Sequence, residues 1–140
     1  MILGVVGAEA AKFTPTTEAA ARGVVCDLIA RLKPPRVVSG RCHLGGVDIY
    51  AVEEARAMGI DVTEFPPRVS SWSAGYKPRN IQIAHAADHV VCITVRTLPD
   101  GYTGMRFSYC YHCVSAGAAR DGHVKSGGCW TVKYARKIGK

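Results

Sequence analysis

The feature that most constrains this chain is an alternation of short apolar segments with stretches of helical periodicity. Ile2 to Val6 is an apolar run ending in Gly7 and reads as a buried strand. Thr14-Pro15 follows as an N-cap and first helical residue, with Glu18 in the first turn. Ala21, Val25, Leu28, Ile29 and Leu32 then recur at helical spacing up to the Pro34-Pro35 stop. Arg36 to Ser39 is a second strand, and after a loop from Gly40 to Gly46 a helix begins. Val47, Ala51, Ala55 and Met58 line one face of it, and Gly59 closes it. Ile60 to Phe65 forms a third strand. Residues Pro66 to Pro78 read as a polar, proline-punctuated loop carrying Trp72 and Tyr76. A short helix from Arg79 to about Ala87 leads into a fourth strand, Asp88 to Val95, and a last helix runs from about Cys129 to Ile138.

Strands alternating with helices of this length imply a parallel sheet with helical crossovers. Near-continuous apolar strands suit burial on both faces. The expected fold is therefore α/β in three layers, a parallel sheet of four or more strands flanked by helices. With 140 residues it is expected to form a single domain. Residues 97–125 break the rhythm: they are rich in Gly, Tyr, Cys and His and contain no helical pattern. Tyr102, Phe107, Tyr109 and Tyr111 predict extended structure there, a small β-hairpin within an insertion. A fifth strand is expected to begin near Gly139-Lys140, so an open sheet edge awaits a partner.

Composition narrows the function classes. No stretch approaches the roughly 20 apolar residues that span a bilayer. The start reaches Glu9 without a basic segment, unlike a secretory signal. A cytoplasmic protein with no membrane partner is expected. The formal charge of +7, spread along the chain rather than bunched, favours anionic partners such as nucleotides, phosphorylated small molecules or nucleic acid.

In an open parallel sheet, ligands bind beyond the carboxyl ends of the strands. Here those loops carry Gly7-Ala8-Glu9, Ser39-Gly40-Arg41 with Gly45 and Gly46, and Ser126-Gly127-Gly128. Glycine admits a phosphate close to the backbone, and a following helix N-terminus offers free N–H groups. Arg41 adds a forked donor. Lys77 and Arg79 are further phosphate candidates, and Asn80 is placed to cap a helix or hold a ribose hydroxyl.

Val38-Ser-Gly-Arg-Cys-His-Leu-Gly-Gly-Val-Asp48, then Pro78-Arg79-Asn80 with Ala87-Asp88, then Ser126-Gly127-Gly128-Cys129-Trp130-Thr131 before Ala135, resemble the SLOG superfamily in order and spacing. That group joins the Smf/DprA proteins, the LOG phosphoribohydrolases and the smaller YspA and YpsA-like domains. The resemblance covers about four-fifths of the chain, sparing the Cys/His insertion. It implies a Rossmann-like fold that binds nucleotides or their derivatives. Gly7, Ser39, Gly40 and Arg41 would form one half of the pocket, and Asp48, Arg79, Asn80, Gly127, Gly128 and Thr131 the other. A homo-oligomer paired through helices is implied as well. The LOG enzymes read Pro-Gly-Gly-x-Gly-Thr-x-x-Glu in the last loop. Here Trp130 replaces a glycine, and Lys133 and Tyr134 stand where the glutamate is expected. That shifts the reading from catalysis toward binding, with Glu9, Glu53 and Glu54 as candidate substitutes.

The remaining signal is Cys110-Tyr-His-Cys113, followed by His123 and Cys129. A Cys-x₂-Cys turn supplies two ligands of a structural zinc site. His123 and Cys129 are the natural second pair, with His112 as alternate. The segment has few large apolar side chains, and zinc would supply the stability they do not. A dithiol redox motif is the competing reading, though Val114-Ser-Ala-Gly117 opens a helix poorly. Unrelated free thiols are the other alternative. Cys26 and Cys92, in apolar segments, read as small buried hydrophobes.

Three functions follow. The first is a nucleotide-type ligand-binding domain with a structural zinc beside the last glycine loop. The second is a LOG-like nucleoside-phosphate N-glycosidase. The third is a DprA-like nucleic-acid-binding module with Trp72, Tyr76 and Trp130 as stacking residues.

Overall fold

A computed structural model describes residues 1–113 and 122–140. Four parallel strands, β1 (Leu3–Gly7), β2 (Arg36–Gly40), β3 (Asp61–Phe65) and β4 (His89–Ile93), form one sheet in the order β3-β2-β1-β4. Leu3 and Gly4 of β1 pair with Val37 and Val38 of β2, and with His89 and Val90 of β4. The chain thus winds outward from β1 on one side and returns to add β4 on the other. The expected α/β fold with a parallel sheet and flanking helices is present.

Strand alternation divides the core. Leu3, Val5 and Val37 pack with Ala21, Val25 and Ile29 of α1 (Pro15–Leu32) and with Val47, Tyr50, Ala51 and Ala55 of α2 (Val47–Ala57). Val6 and Val38 point the other way, onto Ile83 and Ala87 at α3 (Lys77–Ala86). The last helix, α4 (Gly127–Lys137), packs beside α3 and against β4. Local chemistry sets the helix limits. Thr14 and Thr17 form a reciprocal cap at α1, each side chain accepting from the other's backbone N–H, at 3.1 and 2.8 Å.

Two boundaries differ from expectation. The segment expected to be a loop before Pro78 contains a π-helical turn, Trp72–Tyr76, and α3 starts at Lys77. Proline is tolerated in a first turn, where its missing N–H would have had no partner, so Pro78 lies inside the helix rather than before it. Likewise α4 begins at Gly127, two residues earlier than its apolar pattern indicates.

The hairpin expected within 97–125 is not found among the described residues, which hold turns and no strand. A hairpin needs one face to bury, and no residue from Arg96 to Tyr109 is buried. Residues 114–121 of that insertion, with the helix-opening segment of the redox reading, lie outside the described residues. Among the described residues no helix is long and apolar enough to cross a membrane.

Candidate functional site

The order β3-β2-β1-β4 places a topological switch point between β1 and β4, where connections leave in opposite directions and a crevice opens. A cleft of about 380 Å³ lies there, with Val6 and Gly7 at the end of β1 on its floor. One wall comes from α2 and α3 (Asp48, Arg79, Asn80). The opposite wall comes from the insertion (Tyr102, Gly104, Met105, Phe107, Lys125), and the first turn of α4 closes one end.

The helical wall is organised by an ion pair. Arg79 Nη1 donates to Asp48 Oδ2 at 2.6 Å, and both side chains are over nine-tenths buried. Burial pushes the Asp48 carboxyl up, and the Arg79 charge and hydrogen bond pull it back. Arg79 Nε is buried and has no hydrogen-bond partner among the described residues. Gly40 at the end of β2 serves this pair: a side-chain carbon there would collide with the guanidinium and the Asp48 carboxylate.

The end of the cleft at α4 is suited to an anion. No side chain caps α4, so the Gly127 and Gly128 N–H groups have no side-chain partner among the described residues, while the Cys129 N–H bonds the Ser126 carbonyl at 3.1 Å. Gly127 has open space where a side chain would be, whereas one at Gly128 would meet Gly7 N at 2.8 Å. Gly128 thus lets the helix start rest on β1 while Gly127 faces outward. Lys12 Nζ donates to the Lys125 carbonyl at 3.0 Å, bringing its ammonium within two residues of the helix start. Burial lowers the Lys12 pKa, and the Glu9 carboxylate, paired with the Lys12 ammonium at 4.0 Å, opposes that shift. Glu9 stands in the same cleft, with Tyr102 Oη donating to it at 3.5 Å.

Aromatic rings line the rest. Trp72, Tyr76, Tyr102 and Phe107 all face the cleft. Trp72 meets Trp130 edge-on at 5.3 Å, and the Arg79 guanidinium lies 5.7 Å from the Tyr76 ring centroid.

Of the expected ligand residues, Gly7, Glu9, Gly45, Asp48, Arg79, Asn80, Ser126, Gly127 and Gly128 line this cleft. Six do not. Ala8 is buried beside it, and the Ser39 hydroxyl is spent on the Val5 carbonyl. Gly40 makes room for Arg79, and Thr131 Oγ1 donates to the Gly127 carbonyl at 3.3 Å within α4. Arg41 lies on a separate depression with His43 and Pro66, and Lys77 is exposed. Sequence reasoning missed Lys12, Lys125, Tyr102 and Phe107 as cleft residues. A lone cation on each of two distant loops gives no local signal.

The metal-ligand expectation fares better. The ligand atoms of Cys110, Cys113, His123 and Cys129 all lie within 4.8 Å of one another, a group that could hold a metal ion. Four-coordinate zinc, with Zn–S bonds of about 2.3 Å, sets sulfur ligands roughly 3.8 Å apart. His123 belongs to the group, its Nε2 3.5 Å from Cys129 Sγ, while His112 rests against the Tyr111 ring at 4.4 Å instead. Cys129 sits in the first turn of α4, directly after the glycines that face the cleft. Cys92 on β4 is a further sulfur, 3.9 Å from Cys129 Sγ and 3.5 Å from Ser126 Oγ.

Without a metal, hydrogen bonds within the group share out the protons. The Cys92 thiol, with Ser126 assisting, brings Cys129 down to about 4 despite its burial. The same contact raises Cys92 well above the ordinary thiol range. Burial, with the Cys129 charge added, pushes Cys113 up to about 12.

Comparison with family models, with curated proteins and with solved structures finds nothing that matches this chain.

Proposed function

We propose that the cleft binds a nucleotide or nucleotide-derived phosphate ligand and that Cys110, Cys113, His123 and Cys129 hold a structural zinc beside it. One observation carries the ligand reading. The uncapped start of α4, flanked by Lys12 and Lys125, faces a cleft whose other surfaces bear aromatic rings. A phosphate would sit on the Gly127 and Gly128 N–H groups between the two cations. A planar base would lie against Trp72, Tyr76 or Phe107. The SLOG resemblance points the same way, through the glycines of that loop and through Asp48, Arg79 and Asn80. The donor set favours zinc: three thiolates and an imidazole form a closed tetrahedral shell with no open position for water.

Calorimetric titration with AMP tests the ligand reading. Saturable binding that weakens about tenfold or more in Lys12→Ala is expected, the loss of one charge-assisted hydrogen bond. Equal affinity in the variant, or no binding by AMP or any other nucleoside monophosphate, overturns it. Native mass spectrometry checks the zinc, one ion per chain being expected.

A second reading, cleavage of an N-glycosidic bond, is favoured by Glu9. It stands in the cleft, while Glu53 and Glu54 pair with Arg22 at 2.7 and 3.8 Å between α1 and α2. Release of free base from a nucleoside monophosphate, abolished in Glu9→Gln, would favour it over binding alone.

A further inference from the structure

The insertion wall of the cleft has an anchoring problem that the helical wall does not. Between Val95 and Cys110 the chain runs for 14 residues, 96 to 109, without a single buried side chain. Yet this stretch supplies Tyr102, Gly104, Met105 and Phe107 to the cleft. Its hydrogen bonds from Tyr102 N to Pro99 and from Arg106 to Tyr102 are local to the stretch. Tyr102 reaches Glu9 only at 3.5 Å. Ordering that much backbone without burial is unfavourable unless its ends are fixed.

Both ends are fixed near the metal group. Val95, which is buried, accepts from Val124 N at 2.8 Å, one residue after His123. The far end arrives at Cys110, 1% exposed and a member of the group. Lys125, between His123 and Cys129, lies 4.6 Å from the Phe107 ring and 5.2 Å from Tyr111. One ion would thus join the end of the wall, the returning segment at His123 and the first turn of α4.

We propose that metal occupancy gates the cleft: the Cys/His group clasps the 96–109 wall, and ligand capture requires the metal. This rests on the ligand and zinc readings above and adds that the two sites are thermodynamically coupled. Because coupling is reciprocal, a bound ligand must also tighten the metal. The sheet with α1 and α2 keeps its own core and stays folded when the metal leaves.

Amide hydrogen exchange on the full chain, zinc-loaded and zinc-stripped under reducing conditions, tests the clasp without any ligand. Stripping is expected to speed exchange at least tenfold in peptides covering 97–109, with α1 and α2 unchanged. Unchanged exchange in 97–109 overturns the proposal. So does equal loss of protection throughout, which would make the metal a staple of the whole fold.

Titration with AMP forms the second arm, with affinity at least tenfold weaker in the stripped protein. Equal affinity in both forms overturns the gating. Should AMP bind neither form, the ligand reading fails, and the exchange result still decides whether the metal holds the wall. Cys113→Ser provides a chelator-free check, since Cys113 is the exposed member of the group. It is expected to lower zinc affinity and loosen 97–109 together; weaker zinc with an unaltered wall counts against the clasp.

Discussion

The two walls of the cleft are built on opposite principles. Asp48, Arg79 and Asn80 project from helices whose inner faces belong to the hydrophobic core, and all three are buried. Tyr102, Met105 and Phe107 project from irregular chain that buries nothing between residues 96 and 109. The first wall is a by-product of folding and is present whether or not a ligand arrives. On the proposed clasp, the second depends on side-chain chemistry at Cys110, Cys113, His123 and Cys129. A cleft made this way has one rigid jaw and one conditional jaw, so its affinity can change without disturbing the sheet.

The largest effect expected from breaking this contrast is at the rigid jaw. Asp48→Ala leaves the Arg79 guanidinium charged, nine-tenths buried and unpaired, with Nε already lacking a partner. Removing one member of a buried pair typically costs about 3–5 kcal/mol. The urea midpoint should fall accordingly, with one cooperative transition, because α2 and α3 cover opposite faces of the same sheet. A loss under about 1 kcal/mol would mean that the pair does not make this wall rigid.

The same contrast decides what could be read from the sequence. The rigid half was legible because burial imposes a period. Val25 and Ile29 on α1, Ala51 and Ala55 on α2, and the four strands all follow from apolar spacing. The Thr14 cap was legible because capping is local chemistry. Gly40 and Gly128 stood out as glycines, but their purpose did not. Both were expected at a phosphate; Gly40 instead clears space for Arg79, and Gly128, which does line the cleft, also lets α4 touch Gly7.

The conditional half offered no period, so its rings were misread as a hairpin. Its four candidate metal ligands were legible all the same, because the Cys-x₂-Cys spacing marks ligand chemistry rather than burial. Cys92 was not. Within an apolar strand nothing distinguishes a buried thiol from a thiol beside Cys129, and only β4 pairing with β1 and packing on α4 brings them to 3.9 Å. Lys12 and Lys125 are 113 residues apart and meet only in the fold.

A second effect, read against pH rather than as a single loss, comes from protons in the metal-free group. Cys129 is held at about 4, against 9.0 for an unperturbed thiol. From roughly pH 4 to 9 the unfolded chain therefore binds more protons than the folded one at this site, and stability rises with pH. Above 9.0 the sign reverses. Cys92 and Cys113, both raised, keep protons that the unfolded chain has released. Stability of the zinc-stripped, reduced protein should peak near pH 9, and Cys129→Ser should flatten the rise below it. Urea midpoints across this range read the effect. Zinc, which binds thiolates, should also bind more weakly as pH falls. A profile with no dependence on Cys129 would disconnect the conditional jaw from α4.

The smallest expected effect isolates a side-chain hydrogen bond that joins the conditional jaw to the loop after β1, beside the one from Lys12 Nζ to the Lys125 carbonyl at 3.0 Å. Tyr102 Oη reaches Glu9 Oε1 at 3.5 Å, at the outer limit of a hydrogen bond. Tyr102→Phe keeps the ring and removes only that contact, so it should cost under about 0.5 kcal/mol. The urea midpoint should hardly move, and exchange in 97–109 should stay as slow as in the zinc-loaded parent. This null result has content. If the hydroxyl held the wall, its removal would loosen 97–109 as much as stripping zinc does, and the metal would be a bystander. If the wall stays closed without the hydroxyl and opens without the metal, then the clasp is the Cys/His group, and Glu9 keeps its pairing with Lys12 at 4.0 Å beside the cleft.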